Sequence, residues 1–269
     1  MWYNLGMYFF REVSVMDIFE RKQKILEILN RDGKVRVNEL SALFEISDVT
    51  IRMDLADLEA KGLLSRVHGG AVSSYKTYYN MDMQQRLTAN QDQKQAIAKH
   101  IVEMIDENDT IMLNAGTTTL TVFRMIPQKI NLSIVTNSVA IALEAGANPN
   151  FNVVLLGGVI NAKHQFVYGD DAIAQLEKYH ADKLILSVDG VTLDNGLTTF
   201  YSQEVELDRM MLSRSATKII AADSTKLGRT AFARIADIGA ADYIVTNNDA
   251  SAVDEIQELR QNVQNFITI

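Results

Sequence analysis

From Asp17 the apolar positions Ile18, Ile25, Ile28 and Leu29 recur at helical spacing until Asp32-Gly33 interrupts them, which predicts a first helix. A short extended stretch, Lys34–Val37, follows. Asn38 then stands where a helix cap is needed, and Leu40, Leu43 and Phe44 are expected on one face of a second helix. A tight turn at Glu45-Ile46 leads to Ser47, the cap of a third helix. In it Ile51, Leu55 and Leu58 fall at steps of four and three, and Gly62 supplies the stop. Leu63–Val67 and Ala71–Val72 read as short strands around His68-Gly69-Gly70, where two glycines permit the positive φ angles of a tight hairpin. Three short helices and a β wing that share one core make a winged helix-turn-helix over residues 17–73.

Residues 74–90 are polar and tyrosine-rich without a steady period, as expected of a linker. From Gln91 to the end, helical stretches alternate with short β-branched runs, the pattern of an α/β domain over residues 91–269 with a mostly parallel sheet flanked by helices. The runs are Thr110–Leu113, Leu132–Thr136, Val153–Leu156, Leu184–Val188, Ile219–Ala222 and Tyr243–Thr246, with Phe266–Ile269 at an edge. The apolar leader, residues 1–16, is about half the length of a membrane span and lacks a basic flank. It reads as an N-terminal extension, with Met7 or Met16 as alternative starts.

Composition narrows the chemistry. With 47% hydrophobic and 22% charged residues the chain looks globular. The absence of cysteine removes disulfides, thiolate nucleophiles and cysteine-based zinc sites, and fits a reducing cytoplasm. Four scattered histidines form no i,i+4 pair, so neither a metal site nor a resident cofactor is expected. A net charge of −8 excludes a uniformly basic coat while leaving room for a local basic face, and no membrane partner is expected.

The third helix buries Ile51, Leu55 and Leu58, so Asp48, Val49, Arg52 and Met53 must face outward. In a helix-turn-helix this end enters the major groove of double-stranded DNA. Ser47 and Thr50 offer hydroxyls to phosphate oxygens, and Arg52 can reach a phosphate or a guanine edge. Arg66, His68 and Gly69 on the wing, with Arg21 and Lys22 on the first helix, complete the expected DNA contacts. A protein-interaction adaptor is the alternative use of such a module.

The string Arg21-x-x-x-Ile25-Leu26 with Leu40-Ser41, then Ser47-x-x-Thr50-Ile51-Arg52-x-Asp54-Leu55-x-x-Leu58-Glu59-x-x-Gly62 and Arg66-x-His68-Gly69-Gly70-Ala71, resembles the DeoR family of bacterial transcriptional regulators. The resemblance runs over nearly the whole chain from Asp17. One departure is Met53, where many members carry a second basic residue. The resemblance implies a sensor domain with a fold like ribose-5-phosphate isomerase, a phosphorylated sugar or related metabolite as effector, and repression of a carbohydrate-utilisation operon. Binding to a two-half-site operator implies a homodimer or homotetramer.

Several expected strands end in small polar residues, and in a parallel sheet these ends face one crevice. Gly116 with Thr117, Thr118 and Thr119 opens a helix whose free N–H groups suit an anion, and Thr136-Asn137-Ser138 repeats the arrangement. Lys226 adds a cation; Asp189, Asn137 and Glu204 can hydrogen-bond sugar hydroxyls. The resemblance places Gly116–Thr119, Thr136–Ser138, Asp189, Gly190, Thr198, Thr199, Glu204 and Lys226 around the effector. It also marks Asn114, where the family commonly has aspartate, as a position where the neutral amide either alters ligand choice or tolerates a more anionic ligand. A sugar-phosphate isomerase is the competing class, since Asp189 and Glu204 can serve as acid and base. The loop Asp189–Gly196 lacks the lysine- and glycine-rich continuation of those enzymes, so no catalytic residue is expected. By position alone, Arg86 and Lys94 are candidates for relaying effector binding to the DNA-binding part.

Overall fold

The computed structural model describes residues 17–32, 34–60, 63–73, 81–250 and 252–269. The expected leader (1–16), the helix stop at Gly62 and residues 74–80 of the expected linker lie outside them. The described residues form two compact units, divided between Ser73 and Met81.

The first unit runs α1 (Ile18–Asp32), β1 (Lys34–Arg36), α2 (Val37–Phe44), α3 (Asp48–Ala60), β2 (Leu64–Val67) and β3 (Gly70–Ser73). Ile25 and Leu29 of α1, Leu40 of α2, and Ile51, Leu55 and Leu58 of α3 close one core with Val35, Leu64 and Ala71. The three strands pair antiparallel in the order β1-β3-β2. Two expected details differ. The second helix begins at Val37 without a side-chain cap, and Asn38 accepts from the Glu39 N–H at 3.0 Å. This start turns Val37 and Leu40 inward and leaves Leu43 exposed, as is Ile18 at the start of α1. The two wing glycines also have different roles. Gly69 takes φ +76°, whereas a Cβ on Gly70 would stand 2.0 Å from the Val35 carbonyl oxygen, so Gly70 is what lets β3 close on β1.

Arg21 does not face solvent. Its guanidinium donates Nε to Asp54 Oδ2 at 2.6 Å and a second nitrogen to Oδ1 at 3.2 Å, with both side chains buried. The expected phosphate contact at Arg21 is therefore replaced by a structural one. Asp54 lies on the inward side of α3, where a carboxylate requires a partner, and α1 supplies it. Lys22 pairs with Asp57 at 2.7 Å.

The second unit begins earlier than the linker reading allows. Asp82 and Gln85 form a reciprocal capping box for α4 (Met83–Thr88), and Met83 is buried in the core. There follow α5 (Gln91–Val102), β4 (Thr110–Leu113), α6 (Thr117–Met125), β5 (Leu132–Thr136), α7 (Val139–Ala145), β6 (Phe151–Leu155), β7 (Val159–Asn161), β8 (Phe166–Tyr168), α8 (Asp170–Leu176) and β9 (Ala181–Ser187). The chain continues with β10 (Gly190–Thr192), β11 (Gly196–Thr199), α9 (Val205–Ser213), β12 (Ser215–Ala221), β13 (Ala233–Ala236), β14 (Tyr243–Thr246), α10 (Val253–Asn262) and β15 (Phe266–Thr268).

Seven strands form one parallel sheet, β15-β14-β12-β9-β4-β5-β6. Alternate residues feed two cores. Met112, Leu184, Leu186 and Ile220 face α8, α9 and α10, and Ile111, Leu113, Ile185 and Ile219 face α5, α6 and α7. Burial on both faces explains why these strands read as continuous apolar runs. All seven expected runs are strands, with Phe266–Thr268 at the edge. The antiparallel sheet β10-β11-β13 and the hairpin β7-β8 were not expected, because glycine and polar residues such as Gly190, Thr192, Gly196, Thr198, Arg234 and Asn161 interrupt any apolar run in most of these short strands.

Breaking the Arg21–Asp54 pair isolates a buried carboxylate on α3. Arg21→Ala is expected to destabilise the N-terminal unit by about 3 kcal/mol in urea unfolding. A loss below ~1 kcal/mol would show that Lys22, 3.8 Å from Asp54, takes over the pairing.

Candidate functional site

The sheet changes direction at its centre. After β4 the chain adds β5 and β6 on one side, then returns to add β9, β12, β14 and β15 on the other. The carboxyl ends of β4 and β9 therefore diverge, and a crevice opens there. A pocket occupies it, lined by Ala115 and Gly116 after β4, by Ser187 at the end of β9 with Val188 and Asp189 after it, and by Thr199 at the end of β11 with Tyr201 and Glu204 before α9. Met83 and Arg86 of α4 and His164 and Phe166 of the β7-β8 hairpin complete its wall.

Of the sequence-expected effector residues, Gly116, Asp189, Thr199 and Glu204 come together in this wall. The others build the frame around it. Asn114 Oδ1 accepts from the Ser187 N–H at 2.9 Å while its amide donates to the Ser187 carbonyl at 3.0 Å and to Asp208 at 3.4 Å, so Asn114 ties β4 to β9. Thr119 donates to the carbonyls of Asn114 and Gly116, and Thr136 to that of Leu113. Thr117 and Thr118 are buried within α6. Asn137 accepts from the Ala115 N–H at 2.8 Å and donates to the Val167 carbonyl at 3.2 Å, strapping the hairpin to the sheet edge; Ser138 caps α7. Gly190 is small because the Arg229 carbonyl passes where a Cβ would stand, and Thr198 binds the Gly190 carbonyl and the Ala231 N–H. Lys226 is buried in the Ser224–Lys226 turn. Polar residues at these buried strand ends satisfy backbone groups of the fold.

Arg86, expected to be a relay residue in the linker, is in the pocket, with its guanidinium 3.1 Å from Asp189 Oδ1 and 5.8 Å above the Tyr201 ring. Lys94 of α5 is buried and donates to the carbonyls of Arg86 and Ala89 at the end of α4. Burial, with help from Lys226 and Arg86, lowers its pKa to about 7 against the opposing pull of Asp223. Met83, His164, Phe166, Ser187 and Tyr201 escaped the sequence reading, which had Arg86 only as a relay candidate. The capping pair Asp82 and Gln85 was the one local signal for α4; His164 and Tyr201 carry none.

The pocket's acids are set apart. Asp189 is fully buried, which alone would raise its pKa, yet Arg86, Lys226, the Phe200 N–H and Arg229 hold it below the usual carboxylate value. Burial and the neighbouring Asp208 and Asp189 push Glu204 well above that value, while Arg86 and Thr199 oppose them. Asp208, one helical turn beyond Glu204, rises to about 8, chiefly through burial. The site thus offers an ionised acceptor, a protonated donor and a guanidinium to one occupant. Among the described residues no cluster suits a metal ion.

On the other unit, Val49, Arg52 and Met53 of α3 are exposed, Val49 and Met53 by 67% and 69%, as is Asp48. Ser47 caps the helix through the Thr50 N–H at 3.2 Å, and the two hydroxyls lie 2.9 Å apart. Arg66 pairs with Glu59 at 2.7 Å on the wing surface, beside exposed His68 and Gly69.

A winged helix-turn-helix with an exposed helix face, in one chain with a pocketed α/β unit, defines a DNA-binding regulator with a sensor domain. Residues 21–77 match the DeoR-like helix-turn-helix domain and residues 89–248 the DeoR C terminal sensor domain. The chain belongs to the DeoR family of transcriptional regulators. It is 34% identical over 230 residues to the HTH-type transcriptional regulator GolR of Listeria innocua, covering 86% of this chain and 91% of that protein. It is 32% identical over 252 residues to the putative aga operon transcriptional repressor of Escherichia coli O157:H7, covering 93% of each. The lactose phosphotransferase system repressor of Streptococcus mutans is 32% identical over 246 residues, 89% of this chain and 95% of that protein. Among solved structures, ribose 5-phosphate isomerase A of Methanocaldococcus jannaschii aligns with a TM-score of 0.39 and 15% identity over 51% of this chain and 55% of that one.

Asp208 is protonated in the folded chain and ionised in the unfolded chain between about pH 4 and pH 8. The folded state then binds more protons, so this group makes stability fall as pH rises through that window. Asp208→Asn keeps an acceptor for Asn114 and removes the titration. Its stability relative to the parent is expected to increase from pH 4 to pH 8 in urea melts; a constant difference would show that Asp208 is not raised.

Proposed function

We propose that the protein is a repressor of a carbohydrate-utilisation operon, acting in the cytoplasm, whose hold on operator DNA is relieved when a phosphorylated sugar fills the pocket. The observation that carries this reading is the set of unlike groups gathered at the sheet's switch point: ionised Asp189, raised Glu204, Arg86 and the N-terminus of α6. An anion is favoured by the guanidinium and by the free N–H groups of α6, and sugar hydroxyls by the two carboxyl groups. Relatives named for the aga operon and the lactose phosphotransferase system support a sugar-linked effector.

The same site is read as non-catalytic. Arg86 neutralises Asp189, the group that would serve as base, and no lysine follows it in the 189–196 loop to stabilise an enediolate. The effector acts by population: it must prefer the arrangement of the oligomer that DNA disfavours, because equal affinity for both shifts nothing. A homodimer or homotetramer presents two copies of α3 to two half-sites. On α3, Arg52 provides a base or phosphate contact, and exposed Val49 and Met53 suit thymine methyl groups, which replaces a cation with an apolar reader.

Two substitutions separate the halves of this reading. Arg52→Ala is expected to weaken binding to the promoter fragment upstream of the gene by about 1–3 kcal/mol in fluorescence anisotropy, with ligand binding unchanged; parental affinity would remove Arg52 from the interface. Lys226, whose charge helps to hold Asp189 ionised, is buried behind the wall. Lys226→Ala is expected to shrink the rise in melting temperature that sugar phosphates cause, while sparing operator affinity. Interconversion of sugar-phosphate isomers at enzymatic rates by the purified protein would overturn the regulatory reading of the pocket.

A further inference from the structure

The β7-β8 hairpin contributes a feature that the charged groups do not explain. Its turn delivers His164, a buried residue whose backbone N–H donates to Asn161 Oδ1 at 3.2 Å and which lines the pocket wall. The Nδ1 atom lies 3.2 Å from the Tyr201 hydroxyl, and the two rings tilt together with centroids 4.4 Å apart. Phe166, 5.7 Å from the Tyr201 ring, backs the pair. Among the described residues the other ring nitrogen, Nε2, has no hydrogen-bond partner.

Resting on the sugar-phosphate reading, we infer that His164 is a specificity-determining residue whose Nε2–H donates to an acceptor oxygen of the sugar, with Tyr201 as the positioning residue that donates to Nδ1. The two ring nitrogens are linked: a proton received in a hydrogen bond at Nδ1 leaves the ring's own proton on Nε2. The ring is neutral at physiological pH. Burial lowers its pKa to about 4, Arg86 and Lys163 add to the shift, and Asp189 and Asp82 oppose it. A neutral donor reads a hydroxyl, ring or carbonyl oxygen and leaves the anionic group to Arg86. The pair therefore distinguishes a sugar phosphate from bare phosphate, which Arg86 and α6 attract equally well.

The test uses the full-length protein with calorimetric titration of ribose 5-phosphate, fructose 6-phosphate, glucose 6-phosphate and inorganic phosphate. His164→Phe keeps the ring packing without the nitrogens. It is expected to weaken the preferred sugar phosphate about tenfold or more, leaving inorganic phosphate and operator DNA at parental affinity. Tyr201→Phe is expected to weaken the same ligand and to add nothing in the His164→Phe background. Nitrogen-15 spectra of the imidazole should report the Nε2–H tautomer in the parent and its loss in Tyr201→Phe, independently of ligand. His164→Gln, which restores an N–H donor, is expected to recover part of the affinity, and parental melting temperatures certify folding. Parental sugar-phosphate affinity in His164→Phe, equal losses for sugar phosphate and inorganic phosphate, or an Nδ1–H tautomer would overturn the assignment. Failure of every sugar phosphate to bind the parent protein, while operator binding persists, would instead remove the proposed effector class, and this contact with it.

Discussion

Asn114 joins the two strands whose divergence creates the pocket. Its side-chain oxygen and amide satisfy both backbone groups of Ser187, and the amide also reaches Asp208. One neutral side chain thus binds β4 to β9 at the point where the sheet changes direction and touches a buried carboxyl group beneath Glu204. An aspartate there would turn its second oxygen, an acceptor in place of the amide donor, toward the Ser187 carbonyl and Asp208, so the amide suits this particular frame.

Around that clamp the electrostatics follow from burial. Three carboxyl groups lie close together away from water, and they cannot all ionise. Asp189 is the one with cations beside it, Arg86 in contact and Lys226 behind, so it keeps its charge. Glu204 and Asp208 have mostly one another and Asp189 for neighbours, so they retain their protons. The pocket's polarity is thereby divided between acceptor and donor by location, with no metal ion required for the division.

The DNA-binding unit shows the same economy of charge. Arg21 and Asp54 appear in the sequence as part of a charged helix-turn-helix signature, and the fold places their groups in contact inside the core. What remains outside on α3 is a mixed face, with Arg52 between Val49 and Met53. Under the proposed function, a module of nearly balanced charge with an apolar face on α3 would bind through fit to base edges more than through a basic coat.

The periodicity of the chain was sufficient for the sheet strands, the three N-terminal helices and the wing, because each buries a face whose repeat matches its own geometry: steps of three and four for Ile51, Leu55 and Leu58, unbroken apolar runs for strands covered on both sides. Polar residue chemistry around the strand ends brought forward Gly116, Asp189 and Glu204, and the family resemblance Thr199, all of which line the pocket. These readings failed where a residue's role depends on what lies across the fold. Asn137 and Thr136 resemble ligand groups in sequence and bind backbone in space; Arg21 resembles a phosphate contact and is buried against Asp54. Arg86, His164 and Tyr201 lie in a short helix, a hairpin turn and a loop, with no pattern to announce them. They meet because the sheet order brings α4, the β7-β8 hairpin and the segment before α9 to one crevice. Local spacing records which face a residue turns inward, whereas the partner waiting there is decided by chain segments more than a hundred residues away.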